Sequence, residues 1–475
     1  MLPFIKQARE AGAKVVLLEP LGTQTANFCD AHYRLLPGRD AYLAVGMAKV
    51  LRREGLVDQE FLDRHAANVE AYLRLLDGYT LPQCAELSGV PVGTIEELAR
   101  LYGGRHPAAI ILGYGINNWR RGAETYRLID ALAALTGNIG VPGGGVSHGH
   151  GNNHLETLAD PSAHAREFVR HTRTIPQPII GRGILEASDP PIKVIVVSSA
   201  NPITQSPNAP LVAKAFRSVD FVVVIDQFLT DTADYAHVFL PTTTFLEEED
   251  VCNSSGHPFF GRVRPAIAPQ GEARTDLEIV QGLADCLGFG PLMAGTPKEW
   301  LERLLAPVFA RGVSREALDQ GLAELPDFED VPFADRRFPT PSGRFELITE
   351  FPPDAPTADG RLYLLSIHPK SWLNSQALPK DQQGLPVASL HPEDGRRFGV
   401  ADGMRARLRS SVGELTVRVK LTEASNPGYV LLYQGGWIKR GHGTNLLTED
   451  RMTDTGLQAA YYETRVDLMP EEATA

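Results

Sequence analysis

The chain has 475 residues, 43% of them hydrophobic, which is more apolar material than one core absorbs and predicts two to four domains. Its formal net charge of -12 excludes a nonspecific nucleic-acid binder, which carries a basic face, while leaving room for a local basic pocket. No apolar run reaches the roughly 18 to 20 residues of a membrane helix, and no basic stretch precedes an apolar leader, so the chain reads as soluble and without a membrane segment.

The opening LPFIKQAREAGAKVVLLEP predicts an amphipathic helix, a glycine turn at Gly12, and a buried strand from Lys14 to Leu18 that ends at Glu19 and Pro20. A helix feeding a strand is an unusual start for an α/β layer. PGRDAYLAVGMAKVLRREGL follows as a helix with apolar residues at helical spacing, capped by Asp40. AAIILGYGINNWRRGAETYRLIDALAALTG then supplies strand, glycine-rich turn and long helix, the alternation that builds a parallel sheet.

SHGHGNNH comes next and sets His148, His150 and His154 in one short stretch. Imidazole is a common metal ligand, but this spacing converges on one ion only in a tightly folded loop. A polar connection leads to about Pro191, and IKVIVVSS, ANPITQSPN, a helix and FVVVID form a second strand and helix series, continued by DQFLTDTADYAHVFLP. The region from Gly271 to Phe309 is helical, a proline-rich passage turns at Pro341, Ser342 and Gly343, and a boundary falls near Ala358. Beyond it YLLSI, GMRARLRSS, GELTVRVKLT and GYVLLYQ are short strands between turns, which predict a small β-barrel. The expected class is α/β: Rossmann-like parallel-sheet domains over 1–178 and 179–358, then a C-terminal β-barrel over 359–475.

Several motifs carry two readings. GYGINNWRRG, from Gly113 to Gly122, is either a phosphate cradle with free N–H groups at a helix start or an ordinary α/β turn, and it is not a G-x-G-x-x-G. SSANP and DQFLTDTADYAH sit at strand ends, where Asn201 and Asp226 either read a base or ribose or close turns. LEEED, Leu246 to Asp250, reads as a solvated acidic face rather than as paired catalytic carboxylates or a divalent-metal site. Cys29, Cys84, Cys252 and Cys286 form no C-x-x-C pair and read as reduced, buried structural residues. Walker loops, serine elbows and H-E-x-x-H helices are all missing from the sequence.

Taken in order, six stretches resemble the molybdopterin oxidoreductases of the dimethyl sulfoxide reductase and formate dehydrogenase type, over almost the whole chain. They are GAKVVLLEPLGTQTANFCDAHYRLLPGRDAYLAVGMAKVL, LGYGINNWRRGAETYRLIDALAALTGNIGVPGGG, SSANP, VVVIDQFLTDTADYAHVFLPTTTFLEEED, TPSGRFEL and LHPEDGRRFGVADGMRARLRSSVGELTVRVKLTEASNPGYVL. The resemblance implies a bis(molybdopterin guanine dinucleotide) cofactor, two pterin nucleotides clamping one molybdenum or tungsten atom, for two-electron or oxygen-atom transfer to a small-molecule substrate. It makes 1–178 and an incomplete 179–358 the nucleotide-binding domains, and 359–475 a dinucleotide-binding barrel of double-psi type.

On this resemblance Glu19, Thr23, Gly38 and Asp40 hold one nucleotide, with Gly115, Asn117 and Gly122 beside them. Asn201, Asp226, Thr232 and Asp234 serve the other, and Ser375, Trp437 and Asn445 lie on barrel loops over the pterins. Carboxylates suit guanine because they accept from N1–H and the 2-amino group, and glycines let backbone approach phosphate. His148, His150 and His154 then face the substrate funnel as donors, with no metal of their own.

The family's four-cysteine segment for a 4Fe-4S cluster and its metal-ligating residue have no counterpart here, so no catalytic residue is assigned. The expectation is a chain lacking at least the N-terminal third, either a fragment or one completed by a separate polypeptide. An iron–sulfur electron-transfer subunit is the implied partner, with no nucleic acid. The cytoplasm is the default location, and the periplasm the alternative if a signal precedes the chain. The alternative function is a noncatalytic relative that binds pterin nucleotide without an assembled metal centre.

Overall fold

The structure, a computed structural model, describes residues 2–148, 155, 159, 173–254, 256–326, 328–353 and 359–471. His150 and His154 lie outside the described residues. The helix Leu2–Glu10 turns at Gly12, whose φ of 95° suits glycine, into β1 (Val16–Leu18). This strand pairs in parallel with β2 (Ala31–Tyr33) alone. It was expected to be buried; with a single neighbour it is half-buried, and Leu18 is exposed. β3 (Ala66–Ala67) is a two-residue strand that follows the helix Gln59–His65.

β4 (Ala109–Ile111) and β5 (Gly145–Ser147) form a second parallel pair, and the helix Gly122–Leu135 lies between them in sequence. The helices Asp40–Arg53 and Gly122–Leu135 build the first core: Tyr42, Val45, Leu51, Leu128 and Leu132 are buried there. Each such side chain contributes roughly 1.5–3 kcal/mol of burial. Asp40, expected as the cap, is the first helical residue, and Arg39 holds the cap position with no side-chain bond.

The second unit is a three-stranded parallel sheet of β6 (Val194–Ser198), β7 (Phe221–Asp226) and β8 (Val238–Pro241). The helix Ala209–Ser218 covers one face with Val212, Ala215 and Phe216 against Val222 and Val224. β9 (Asp250–Ser254), β10 (His257–Val263) and β11 (Leu322–Glu324) make an antiparallel sheet. Capping boxes at Thr275 with Glu278 and at Thr296 with Glu299 start the helices Asp276–Cys286 and Pro297–Ala310. β12 (Phe345–Glu346) then returns to pair with β3, tying residue 345 back to the first unit.

The C-terminal strands close a six-stranded barrel in the order β13 (Leu362–Ile367), β17 (Tyr429–Tyr433), β14 (Val387–Leu390), β16 (Glu414–Leu421), β15 (Arg405–Arg409) and β18 (Arg465–Pro470). Alternation explains the closure. In β16 Leu415, Val417 and Val419 point into the barrel, whereas Glu414, Arg418 and Lys420 face out.

Two local expectations are corrected. LEEED is solvated only in part: Asp250 is exposed and Glu248 and Glu249 are half-exposed, whereas Glu247 is buried and accepts from the Thr244 N–H and hydroxyl at 2.8 Å each and from the Gln270 N–H at 2.7 Å. Those donors, Thr244 first, hold its carboxyl below the usual carboxylate range. The four cysteines are free, but only Cys84 is buried, and Cys252 and Cys286 are exposed. Among the described residues no helix is long and apolar enough to cross a membrane.

Candidate cofactor site

Glu19 leaves the end of β1, where ligands gather in open parallel sheets. Its Oε1 accepts the Leu21 N–H at 3.2 Å, and the His32 ring bonds its backbone carbonyl at 2.8 Å. Burial raises its carboxyl, against the pull of the Leu21 N–H and of His32. Asp40 is pushed up to about 6, chiefly by burial and further by the Glu19 charge. Two acidic groups that repel each other at a desolvated strand end call for a ligand that brings donors. Thr23 precedes the short helical turn Gln24–Phe28 and makes no capping bond with its side chain.

Gly38 has a φ of 72° and lies under Trp119, so close that a Cβ there would fall 2.5 Å from the indole ring. Gly115 and Asn117 belong to the short helical turn Tyr114–Asn118. Gly113 and Gly115 face open space, whereas a Cβ at Gly122 would meet the Ile116 carbonyl at 2.7 Å. The phosphate-cradle reading of this loop needs correcting at its helix start. Asp454 already accepts the N–H groups of Ala123 at 3.1 Å and Glu124 at 3.0 Å, so these donors are spent on a side chain from the C-terminal segment.

Three aromatic residues that the sequence reading missed complete this half. Trp119 meets Tyr363 and Tyr462 edge to face at 5.8 and 5.6 Å, which brings the barrel up to the first unit. The Tyr462 hydroxyl is pushed up to about 12, by burial first and by the Glu19 charge second. The only local sign was the clustered Tyr461-Tyr462-Glu463.

In the second unit Asp226 ends β7, and its Oδ1 accepts the N–H groups of Gln227 at 2.6 Å and Phe228 at 3.2 Å. Burial raises its carboxyl and Asp276 adds to the effect. Asp276 was not anticipated; it opens the helix Asp276–Cys286 and accepts from the Thr242 hydroxyl at 3.0 Å. ARTDLEI, a capping threonine followed by a carboxylate, was its available signal.

The other predicted residues of this half lie elsewhere. Asn201 and Thr232 are buried against each other: the Thr232 hydroxyl donates to Asn201 Oδ1 at 2.7 Å, and Asn201 Nδ2 donates to Thr204 Oγ1 at 2.8 Å. The Thr204 hydroxyl donates in turn to Asp231 at 2.6 Å. Asp234 pairs with Lys439 Nζ at 2.9 Å. Of the four, Asp226 alone presents a carboxylate at the strand end.

The barrel loops join this network. Asp231 accepts the N–H groups of Ile438 at 2.6 Å and Lys439 at 3.1 Å, and Asn445 Nδ2 donates to the Thr204 carbonyl at 2.7 Å. Trp437 is buried, with Nε1 donating to the Ser375 carbonyl at 2.8 Å and its N–H to Gln382 Oε1 at 2.6 Å. Ser375 and Trp437 are thus bonded to each other, and Asn445 is bonded to Thr204 and Thr448.

His148 packs edge to face on Tyr126 at 4.2 Å and near Tyr114 at 5.6 Å. Its Nε2 is buried without a partner among the described residues, and burial lowers its affinity for a proton. No three His, Cys, Asp or Glu side chains among the described residues are grouped as a metal site.

One acid-bearing strand end in each α/β unit, glycines open to a ligand beside the first, and a half-buried imidazole whose Nε2 has no partner among the described residues fit a cofactor with two guanine nucleotides. Comparison with known proteins agrees. Residues 2–286 match the family model "Molybdopterin oxidoreductase", and residues 363–465 match "Molydopterin dinucleotide binding domain". The chain is similar to the probable oxidoreductase YyaE of Bacillus subtilis, 30% identical over 98% of this chain and 73% of that protein. It is similar to the F420-dependent formate dehydrogenase 1 subunit alpha of Methanococcus maripaludis, 28% identical over 90% of this chain and 68% of that protein. The fold matches the acetylene hydratase of Pelobacter acetylenicus with a TM-score of 0.80 and 21% identity, over 98% of this chain and 75% of that one. The chain therefore belongs to the molybdopterin oxidoreductase family, the catalytic-subunit family that carries a bis(molybdopterin guanine dinucleotide) cofactor of molybdenum or tungsten.

Proposed function

We infer that this chain binds one guanine at Glu19 and Asp40 and the other at Asp226, and that it works as the catalytic subunit of a two-electron or oxygen-atom transfer enzyme. The observation that carries the reading is the raised carboxyl at a parallel-strand end in each α/β unit. When bound, the metal and its pterins supply the redox chemistry. The protein's own share is to accept the guanine N–H donors with Glu19, Asp40 and Asp226, and to close water out with Trp437 and Trp119. Asp276 tunes Asp226 through its charge. His148, together with His150 and His154, offers donors to pterin or substrate.

The substrate is a small molecule. Because one relative is a formate dehydrogenase subunit, formate is the first compound to assay. That relative's designation as subunit alpha also supports an electron-transfer partner, an iron–sulfur subunit or a separate polypeptide.

The test is metal and nucleotide analysis of the purified chain from a host that makes the cofactor. One molybdenum or tungsten per two guanine nucleotides is the expected result. A folded chain free of both overturns the reading and leaves a noncatalytic relative.

A further inference from the structure

The first residues of β13 and β17 line a cavity of about 480 Å³. These two strands run in parallel, so the cavity lies roughly 13 Å along them from the end that leads into the Trp437 loop. Its walls are rich in guanidinium. Arg361, Arg397 and Arg465 line it, and Arg39 acts on Tyr429 in the same wall. Carboxylates answer them: Asp359 takes Arg361 Nη2 and Arg465 Nη2 at 2.7 Å each, Asp394 lies 4.0 Å from Arg397 Nη1, and the charges of Asp467 and Glu449 also act on Arg361.

Arg465 points to a ligand. Its side chain is 11% exposed, its guanidinium lies 4.0 Å over the Tyr363 ring, and its Nε and Nη1 are buried with no hydrogen-bond partner among the described residues. Buried donors left unpaired destabilise a fold, and more so on a charged group. Tyr363 and Tyr429 stack at 5.5 Å and form a stiff apolar floor under that guanidinium. The rim is braced as well, since Arg397 donates to the Gly360 carbonyl and Asp394 accepts the Gly428 N–H at 2.8 Å.

Planar forked donors match the oxygens of phosphate, and the volume lies within the roughly 300–1,000 Å³ of small-molecule pockets. We propose that this cavity binds a phosphate-bearing small molecule, its oxyanion facing Arg361, Arg397 and Arg465 and its body lying against Tyr363. The inference does not rest on the nucleotide assignment, so binding is expected with the pterin cofactor present or absent.

The test is titration of the full chain, cofactor-loaded, with inorganic phosphate and separately with glycerol 3-phosphate, read by calorimetry and by the shift in melting temperature. Saturable binding is expected, weakened at least tenfold in the exposed-rim double variant Arg361→Gln, Arg397→Gln and lost in Arg465→Met, which keeps the packing on Tyr363. Tighter binding of the ester assigns the source to a phosphorylated metabolite, and equal binding assigns it to free phosphate. If Arg465→Met does not fold, the rim variant decides alone. No saturable binding, binding unchanged in the rim variant, or displacement of phosphate by guanosine, which carries no phosphate, would each overturn the proposal.

Discussion

Asp454 caps Ala123: the carboxylate of a C-terminal loop accepts the Ala123 N–H at 3.1 Å and, with its other oxygen, the Glu124 N–H at 3.0 Å. A residue 331 positions along the chain satisfies the start of the helix Gly122–Leu135. Asp454→Ala is expected to cost about 1–2 kcal/mol in urea unfolding, the value of a lost cap with a favourable charge at a helix start. An unchanged midpoint would show that water replaces the carboxylate without loss.

Gly38 is expected to tolerate no side chain. At φ 72° an L-residue is strained, and the Trp119 ring blocks the Cβ at 2.5 Å. Gly38→Ala should destabilise the chain by about 2–3 kcal/mol and shift Trp119 fluorescence, because the ring must move. Wild-type stability with unaltered fluorescence would refute the close packing.

Asp40 yields two pH effects of opposite sign. Its carboxyl titrates near 6 in the folded chain against 3.8 as the ordinary value, so its stabilising contribution is full below about pH 4 and gone once the pH has risen through about 6. Asp40→Asn should therefore stabilise the cofactor-free chain at pH 7.5 by up to about 3 kcal/mol. Guanine binding needs the ionised acceptor, so guanine-nucleotide affinity should fall as the pH drops through about 6, and the variant should keep only the part of that dependence set by Glu19. Comparing thermal melts with nucleotide titrations across pH 5 to 8, a range bracketing ordinary His and raised Asp titration, checks both.

Asp226→Asn is expected to lower guanine nucleotide from two per chain to one, counted after acid release and chromatography. Asp276→Asn should instead leave both bound and bring the Asp226 carboxyl down towards its ordinary range, because a repelling charge is removed. Two nucleotides retained in Asp226→Asn would displace the second guanine from this strand end.

Changing His148, His150 and His154 together to alanine should leave the metal content unaltered and change pterin content or turnover. Plasma mass spectrometry and pterin fluorescence separate the two. Loss of a stoichiometric metal with pterin retained would make the histidines ligands.

The sequence by itself determined what depends on local pattern. Period-two alternation in GELTVRVKLT marked a barrel strand, helical spacing marked Asp40–Arg53 and Gly122–Leu135, and the order of six motifs marked the family. Only the tertiary structure decided how polar groups separated by tens to hundreds of residues use one another's donors. It sent Asp454 to the start of the helix at Gly122, sealed Asn201 and Thr232 into a network with Asp231, and brought Asp276 to Asp226. It also turned Glu247 of LEEED inward, where the N–H groups of Thr244 and Gln270 meet its charge. The physical reason is that a hydrogen bond depends on distance and direction in space, and linear spacing reports those only within a turn of the chain.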